Sequence, residues 1–546
     1  MISKLASSLE RSRRMISSNH EGVTIMNLIH RRFRFLAFIL IPVLVMLMAL
    51  SQQKVQAAAP AWDGNYHAYA IGARVSYAGG EYECIQPHTS LPNWNPVDVP
   101  ALWRAVSPSN PTATSIPATA TPRPATSTPL PPTATPRPGT ATPTPNNPTA
   151  TPRPATATPV LPTATTTPGG GKRIIGYFAE WGVYGRNYHV RNIKTSGSAA
   201  KLTHINYAFG NVVNSRCQLG DTYADYDRAY SAAESVDGVA DTWDTGVLRG
   251  SFGQLRKLKA EFPHLKVLIS LGGWTWSAGF SDAALPANRA AFVKSCVDLF
   301  IKDPRWAGVF DGIDIDWEYP AACGNTCNYR PEDTQNFTAL LSEFRSQLNA
   351  VRPGLLLTIA APADPAKIAK IQVGQIHQYL DFINIMTYDL HGAWEANTNF
   401  QSNLYSIAGD PGPVYSVDIA VNAWLNGGTP ADKVVVGVPF YGRGWKDVPS
   451  TNNGLFQPGS AAPATYEAGI EDYKVLKTKG LTRYSNSAAG AAWLYGNGQF
   501  WTYDDPAIMK VKTDYVKAKG LGGTMFWELS GDTTNGELIN ALYQGR

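Results

Sequence analysis

Residues 311–319 read Asp-Gly-Ile-Asp-Ile-Asp-Trp-Glu-Tyr. In an extended chain alternate side chains share a face, so Asp314, Asp316 and Glu318 point one way and Ile313, Ile315 and Trp317 the other. Cα atoms two apart on a strand are separated by about 6.6–6.8 Å. Three carboxyls at that spacing in a confined site do not all ionise cheaply. Shared protons and raised pKa values follow, and these suit a general acid. A solvated strand end is the bland alternative, and the intervening Ile, Ile and Trp argue for burial instead. Carboxylates alone could hold Mg²⁺ or Ca²⁺, but no His or further acidic cluster accompanies these, and no cysteine spacing resembles a zinc site. Neither a metal nor a cofactor is therefore expected. Asp311 has the wrong parity for the acidic face and reads as structural, near the start of the strand.

The acidic run needs a scaffold that buries one face against helices. Apolar β-type runs recur at 173–181, 202–209, 266–274, 308–318, 355–363, 382–388, 433–441 and 523–527. Helical patterns lie between several of them. Phe252, Leu255, Leu258 and Phe262 repeat at helical spacing, as do Phe337, Leu340, Leu341, Phe344 and Leu348, which follow Pro331 at a plausible helix start. Eight apolar strands separated by helices predict an α/β fold, a (β/α)8 TIM barrel, over residues 172–546. A Rossmann sheet is the runner-up, but no Gly-rich phosphate fingerprint follows the first strand. The stretch from Tyr441 to Gly523 is too long for one helix and holds strand-like pieces at 491–495 and 499–503, so a small α+β insertion is expected at about 445–512, before the last strand.

The rest of the 546 residues are of different kinds. Arg31, Arg32 and Arg34 precede an uncharged run from Phe35 to Leu50, which ends near Ala57-Ala58-Ala59. Residues 1–59 thus read as an N-terminal extension with a secretory signal peptide, its apolar run short for a membrane span, which needs about 20 residues. The net charge of +5 lies in that segment, which carries eight basic and two acidic residues, so a nucleic-acid surface is not supported. Residues 107–171 contain 18 Pro and 19 Thr, with Thr-Ala-Thr-Pro-Arg-Pro starting at 119, 133 and 149. They read as a semi-rigid tether. Before it, residues 60–106 carry seven aromatics, and the runs at 73–77 and 81–85 suggest a hairpin in a small all-β module. Some of those rings should face water, where flat aromatics stack on sugars. Cys323 and Cys327 are close enough to staple a loop. Cys84 and Cys217 have no obvious partner, and Cys296, inside an apolar helical pattern, is expected to be a buried free thiol.

Asp-Gly-Ile-Asp-Ile-Asp-Trp-Glu resembles the DxxDxDxE signature of family 18 glycoside hydrolases, the chitinases. Four further stretches agree in order: Ser270-Leu271-Gly272-Gly273-Trp274, Met386-Thr387-Tyr388-Asp389, Val438 to Arg443, and Met525-Phe526-Trp527-Glu528. The insertion resembles that of the subgroup with a deepened cleft. The front module, through Tyr82 to Ser90, Trp94 and Pro100-Ala101-Leu102-Trp103, is similar to chitin-binding modules of families 5 and 12. In that type Trp94 corresponds to an exposed binding aromatic, and Trp62 and Trp103 to core residues.

The resemblance implies a secreted, monomeric enzyme whose partner is chitin or another N-acetylglucosamine polysaccharide, with no membrane contact after signal cleavage. It implies a substrate-assisted reaction, the exception to two-carboxylate glycosidases. Glu318 is then the general acid, Asp316 holds the acetamide N–H, Asp314 stands behind Asp316, and Tyr388 bonds the acetamide oxygen. Trp527 forms the floor. Met386, Asp389, Tyr441 and Arg443 line the same subsite, and Tyr177, Trp274 and Trp394 extend the cleft as stacking surfaces. The rival functions are a chitin-type lectin on the same barrel, against which the terminal Glu318 counts, and an endo-acting glycosidase of N-glycans.

Overall fold

The computed structural model describes residues 172–546 continuously and, before them, 59–63, 68–70, 72–84, 88–89, 96 and 103–106. The signal segment, the tether and Trp94 lie outside the described residues. The chain divides into two units, with the boundary in the Pro/Thr-rich stretch.

In the C-terminal unit eight parallel strands close on themselves. They are β1 (Arg173–Ala179), β2 (His204–Val213), β3 (Lys266–Gly272), β4 (Gly312–Asp316), β5 (Leu356–Ala361), β6 (Phe382–Ile385), β7 (Val434–Pro439) and β8 (Gly523–Trp527). Each pairs with its sequence neighbour, and β8 pairs back onto β1 through Gly523↔Arg173 to Phe526↔Gly176. This is the predicted (β/α)8 barrel. Strand alternation sorts its core: from β1, Ile174 and Phe178 join the large cluster between sheet and helices, while Ile175 and Tyr177 join the interior cluster with Phe382, Val435 and Met525.

The outer layer includes α1 (Val190–Thr195), α2 (Gly250–Glu261), α3 (Arg289–Cys296), α4 (Asp333–Val351), α5 (Val417–Asn426), α6 (Pro506–Ala518) and α7 (Glu537–Gly545). Helix α4 buries the stripe Phe337, Leu340, Leu341, Phe344 and Leu348 read from the sequence. Fully burying one such side chain contributes about 1.5–3 kcal/mol, which far exceeds any difference in helix propensity. Helix α6 starts where Pro506 takes the first position and the Asp505 side chain accepts from the Ile508 N–H at 3.0 Å.

Between β7 and β8 a separate six-stranded antiparallel sheet is built from Tyr441–Lys446, Ser460–Ala461, Ile470–Asp472, Thr482–Asn486, Ala491–Gly496 and Gln499–Tyr503. The last two form a hairpin across Asn497-Gly498, both with positive φ, a pair suited to such a turn. The sheet thus begins at Tyr441, directly after β7, and ends before α6, which packs with the barrel.

One cysteine assignment is corrected. Cys296 is buried, as its helical pattern required, but it is not a free thiol: it is disulfide-bonded to Cys217, with S–S 1.99 Å. Strand β2 continues outward into an antiparallel hairpin with Arg216–Gln218, and this brings Cys217 against the end of α3. A sequence separation of 79 carries no local sign of that approach. Cys323 and Cys327 are also bonded, with S–S 2.08 Å.

In the N-terminal unit Arg74–Tyr77, Gly80–Cys84 and Trp103–Ala105 form a three-stranded sheet. Tyr69, Val75, Cys84 and Trp103 are its buried core, with Trp62 packed partly against them.

Candidate active site

Strand β4 delivers the acidic face. Gly312 at its start lets β5 approach closely, because a Cβ there would meet the Leu356 carbonyl oxygen at 2.2 Å. Asp314 and Asp316 point into the barrel and are buried, while Ile313, Ile315 and Trp317 pack outward. The strand ends at Asp316, so Glu318 stands two residues beyond it, partly exposed at the mouth. Its backbone N–H donates to Ser277 Oγ at 2.8 Å, and Trp317 behind it stacks on Phe280 at 5.4 Å. Asp311, outside this face, accepts from Lys259 Nζ at 2.7 Å and from the Val267 N–H at 2.9 Å, as a structural residue should.

The three carboxyls have different surroundings. Asp314 accepts from Tyr177 Oη at 2.7 Å, Ser270 Oγ at 2.8 Å, Thr358 Oγ1 at 2.5 Å and Asn384 Nδ2 at 3.4 Å. Burial raises its pKa, and these donors act against the rise. Asp316 is raised much further, first by burial and then by the charges of Glu318 and Asp314, and its Oδ1 has no donor among the described residues. Burial also pushes Glu318 up to about 7. The arrangement is a donor-rich carboxylate at the bottom, a carboxyl that favours its proton above it, and a proton-bearing acid at the opening.

Tyr388, in the loop after β6, is buried near these carboxyls with its hydroxyl donating to Met525 Sδ at 3.7 Å. Its ring fits because residue 437 is glycine: a Cβ there would lie 2.9 Å from the Tyr388 ring. Burial and the nearby carboxylates, Asp316 foremost, raise its pKa well above the usual phenol value, which keeps it a neutral donor. Asp389, at φ 55°, accepts from Tyr441 Oη and Arg443 Nε, both at 2.7 Å. Met386 is partly buried beside them. The Trp527 ring lies parallel to Phe209, 5.8 Å between centroids, and tilts against Tyr177 at 5.5 Å. Trp274 and Trp394 are more than half exposed, and Arg443 sits 4.9 Å over the Trp394 ring.

Tyr177 departs from its expected place. It is not a stacking surface: it is 1% exposed, because its parity on β1 points it into the barrel beneath Trp527, where its hydroxyl serves Asp314. Thr358 and Asn384 were overlooked in the sequence, and Ser270 stood in a quoted motif with no role given to it, although each is a lone polar residue at an inward position of an apolar strand. Trp181 was overlooked too. It ends the first apolar run, is 42% exposed, and packs on Phe209 at 6.0 Å and Trp527 at 6.1 Å.

A closed parallel barrel with a carboxyl column and an aromatic floor at its C-terminal mouth is the architecture of a TIM-barrel glycosidase. The model of glycosyl hydrolases family 18 matches residues 173–532, and the chain belongs to that family. The model of carbohydrate-binding module family 5/12 matches residues 61–104. Chitinase 63 of Streptomyces plicatus is 50% identical over 380 residues, covering 68% of this chain and 60% of that protein. Chitinase 1 of Aphanocladium album is 38% identical, covering 68% and 84%. The chain thus spans about 60% of the length of the Streptomyces relative. Among solved structures, the catalytic domain of psychrophilic chitinase B from Arthrobacter TAD20 superimposes with TM-score 0.66 at 44% identity, covering 69% of this chain and 95% of that one. A family 18 N-acetylglucosaminidase from Paenibacillus barengoltzii gives 0.55 at 34% identity, covering 69% and 100%.

Proposed function

We propose that the chain is a secreted chitinase that hydrolyses β-1,4 linkages between N-acetylglucosamine units by substrate assistance. The observation that carries this reading is the column Asp314–Asp316–Glu318, of which Glu318 alone is partly exposed, while Asp389 at the same opening is engaged by Tyr441 and Arg443. A second carboxylate nucleophile would have to stand opposite Glu318 across the sugar; Asp316, next along the strand, is buried below it instead. The substrate's own acetamide supplies the missing nucleophile.

In this mechanism Glu318, protonated, gives its proton to the glycosidic oxygen. The acetamide carbonyl oxygen attacks the anomeric carbon as the aglycone leaves, and an oxazolinium ion forms. Asp316 accepts the acetamide N–H and balances the developing positive charge, its own proton passing to Asp314. Tyr388 donates to the acetamide oxygen. Glu318, now a carboxylate, takes a proton from the water that opens the ring, and the configuration is retained. Trp527 supports the sugar, Asp389, Met386, Tyr441 and Arg443 surround it, and Trp274 and Trp394 carry neighbouring rings. Residues 60–106 hold the enzyme on solid chitin through Trp94, residues 107–171 are the tether, and the exported protein acts as a monomer. No helix among the described residues is long and apolar enough to cross a membrane.

Glu318→Gln tests the reading. Hydrolysis of chitin oligomers should fall by roughly 10²–10⁴-fold, the range a general acid supplies, while oligomer binding persists. Retained turnover would sink the assignment. Product analysis on end-labelled oligomers separates this activity from an N-acetylglucosaminidase, which releases single sugars, and from a non-hydrolysing lectin.

A further inference from the structure

Strand parity sets the face of Glu318, but β4 ends at Asp316, two residues short of it. Bonds from outside the sheet must therefore fix the backbone from which the acid projects. Ser277 supplies them. It is 4% exposed and directly follows the short helical turn Gly273–Trp276 at the end of β3. Its Oγ accepts from the Glu318 N–H at 2.8 Å. The same hydroxyl faces the Gly273 carbonyl at 2.9 Å and the Asp316 carbonyl at 3.1 Å. A hydroxyl has one proton and two lone pairs. Its proton is thus shared between two carbonyls while its oxygen serves Glu318, and one side chain grips the backbone on both sides of Trp317.

The chain after β3 is shaped to bring Ser277 to this point. Gly272 and Gly273 have φ of 104° and 77°, which turn the chain sharply. A Cβ on Gly272 would lie 2.4 Å from the Asp316 carbonyl oxygen, so glycine lets the two strand ends pass in contact. The rest of the acid's segment is close-packed as well. Trp317 is 3% exposed, stacked on Phe280, with Phe337 edge-on at 5.6 Å. A Cβ on Gly324 would lie 2.2 Å from the Glu318 carbonyl oxygen. Packing holds Trp317 and the chain beyond Glu318; Ser277 holds the acid's own N–H.

We propose that Ser277 is a positioning residue for the general acid: by holding the Glu318 N–H and the Asp316 carbonyl on one hydroxyl, it sets the reach of the Glu318 carboxyl to the glycosidic oxygen. Ser277 acts through Glu318 and neither gives nor takes the transferred proton. A catalytic group displaced by about 1 Å can lose on the order of 10²-fold in rate. That loss falls on proton delivery, so it is large for a leaving group that must be protonated and small for one that departs unaided.

The inference rests on the chitinase reading, and the test separates the two. kcat/KM of the full chain and of Ser277→Ala is measured on chitin oligomers and on a nitrophenyl chitobioside. Both carry N-acetylglucosamine at the reacting centre. The oligomer's leaving sugar needs a proton as it departs, and the nitrophenolate does not. Ser277→Ala should lower kcat/KM on oligomers by about 10–100-fold and on the aryl glycoside by less than about threefold. Oligomer affinity, measured by calorimetry with Glu318→Gln also present, should not change. Ser277→Thr keeps the hydroxyl and should recover most of the oligomer rate. Equal losses on the two substrates would overturn the proposal, since a loosened fold or weakened binding does not distinguish leaving groups. So would an oligomer rate close to that of the unaltered chain. If Ser277→Ala does not fold, Ser277→Cys, which keeps the shape with only a weak acceptor, carries the same comparison. Failure of the wild-type chain to cleave either substrate would sink the chitinase reading, and this inference with it.

Discussion

Glu318 and Asp314 share one face of the acidic run, yet their neighbours differ, and the proposed mechanism gives them different tasks. Glu318 has few donors and is pushed up to about 7 by burial, so its proton is held in acid and lost as pH rises. Catalysis that needs this proton should decline as pH climbs through about 7, and kcat/KM against pH checks it. A profile flat to pH 9 would contradict Glu318 as the acid. Asp314 has four donors, and Thr358 makes the shortest of the contacts. Thr358→Val removes that donor from a buried carboxylate, a loss of about 1.5–3 kcal/mol for a bond to a charged group. Asp314 then accepts the Asp316 proton more readily in the resting enzyme, which blunts the charge Asp316 develops. The expected result is at least a tenfold fall in kcat with KM little changed. A change in KM alone would place Thr358 in binding instead.

The elements that carry these side chains are held by packing and one long covalent link. The Cys217–Cys296 disulfide closes a loop across a sequence separation of 79 that contains α2, β3 and all of α3. Loop-closure entropy assigns such a link about 4 kcal/mol of stability. Cys217→Ser combined with Cys296→Ser should lower the midpoint of chemical denaturation of the oxidised protein, with activity retained in the folded fraction. An unchanged midpoint would mean that native packing alone holds the hairpin to α3. The short Cys323–Cys327 loop constrains far less chain, so its removal should cost less.

At the scale of the whole molecule, the proposed reading assigns adhesion to the N-terminal module and hydrolysis to the barrel. If extended at about 3.1 Å per residue, the Pro/Thr-rich tether reaches on the order of 200 Å, so a bound module would let the barrel explore a wide area of an insoluble surface. Trp94→Ala should weaken adsorption to solid chitin and slow its degradation while sparing soluble oligomers. Equal losses on both substrates would mean the module assists the cleft directly. The near-neutral balance outside residues 1–59 suits an uncharged polysaccharide.

Local pattern determined much of this. The alternation at 313–318 fixed which carboxyls share a face, because strand parity is a property of three or four consecutive bonds. The recurrence of apolar runs and helical stripes pointed to a helix-covered parallel sheet, because such strands are buried on both faces, and the count of eight strands favoured the barrel over an open sheet. The order of motifs placed Glu318, Asp389 and Trp527 at strand ends. Tertiary structure alone decided what those parities meet. Tyr177 became a donor to Asp314 and not a sugar platform, since only ring closure brings β1 opposite β4. Ser270, Thr358 and Asn384 converge on one carboxylate from three strands. Cys217 found Cys296, and Ser277 found Glu318, across separations of 79 and 41 residues. Contacts of that range depend on the closed barrel, and no local periodicity records them.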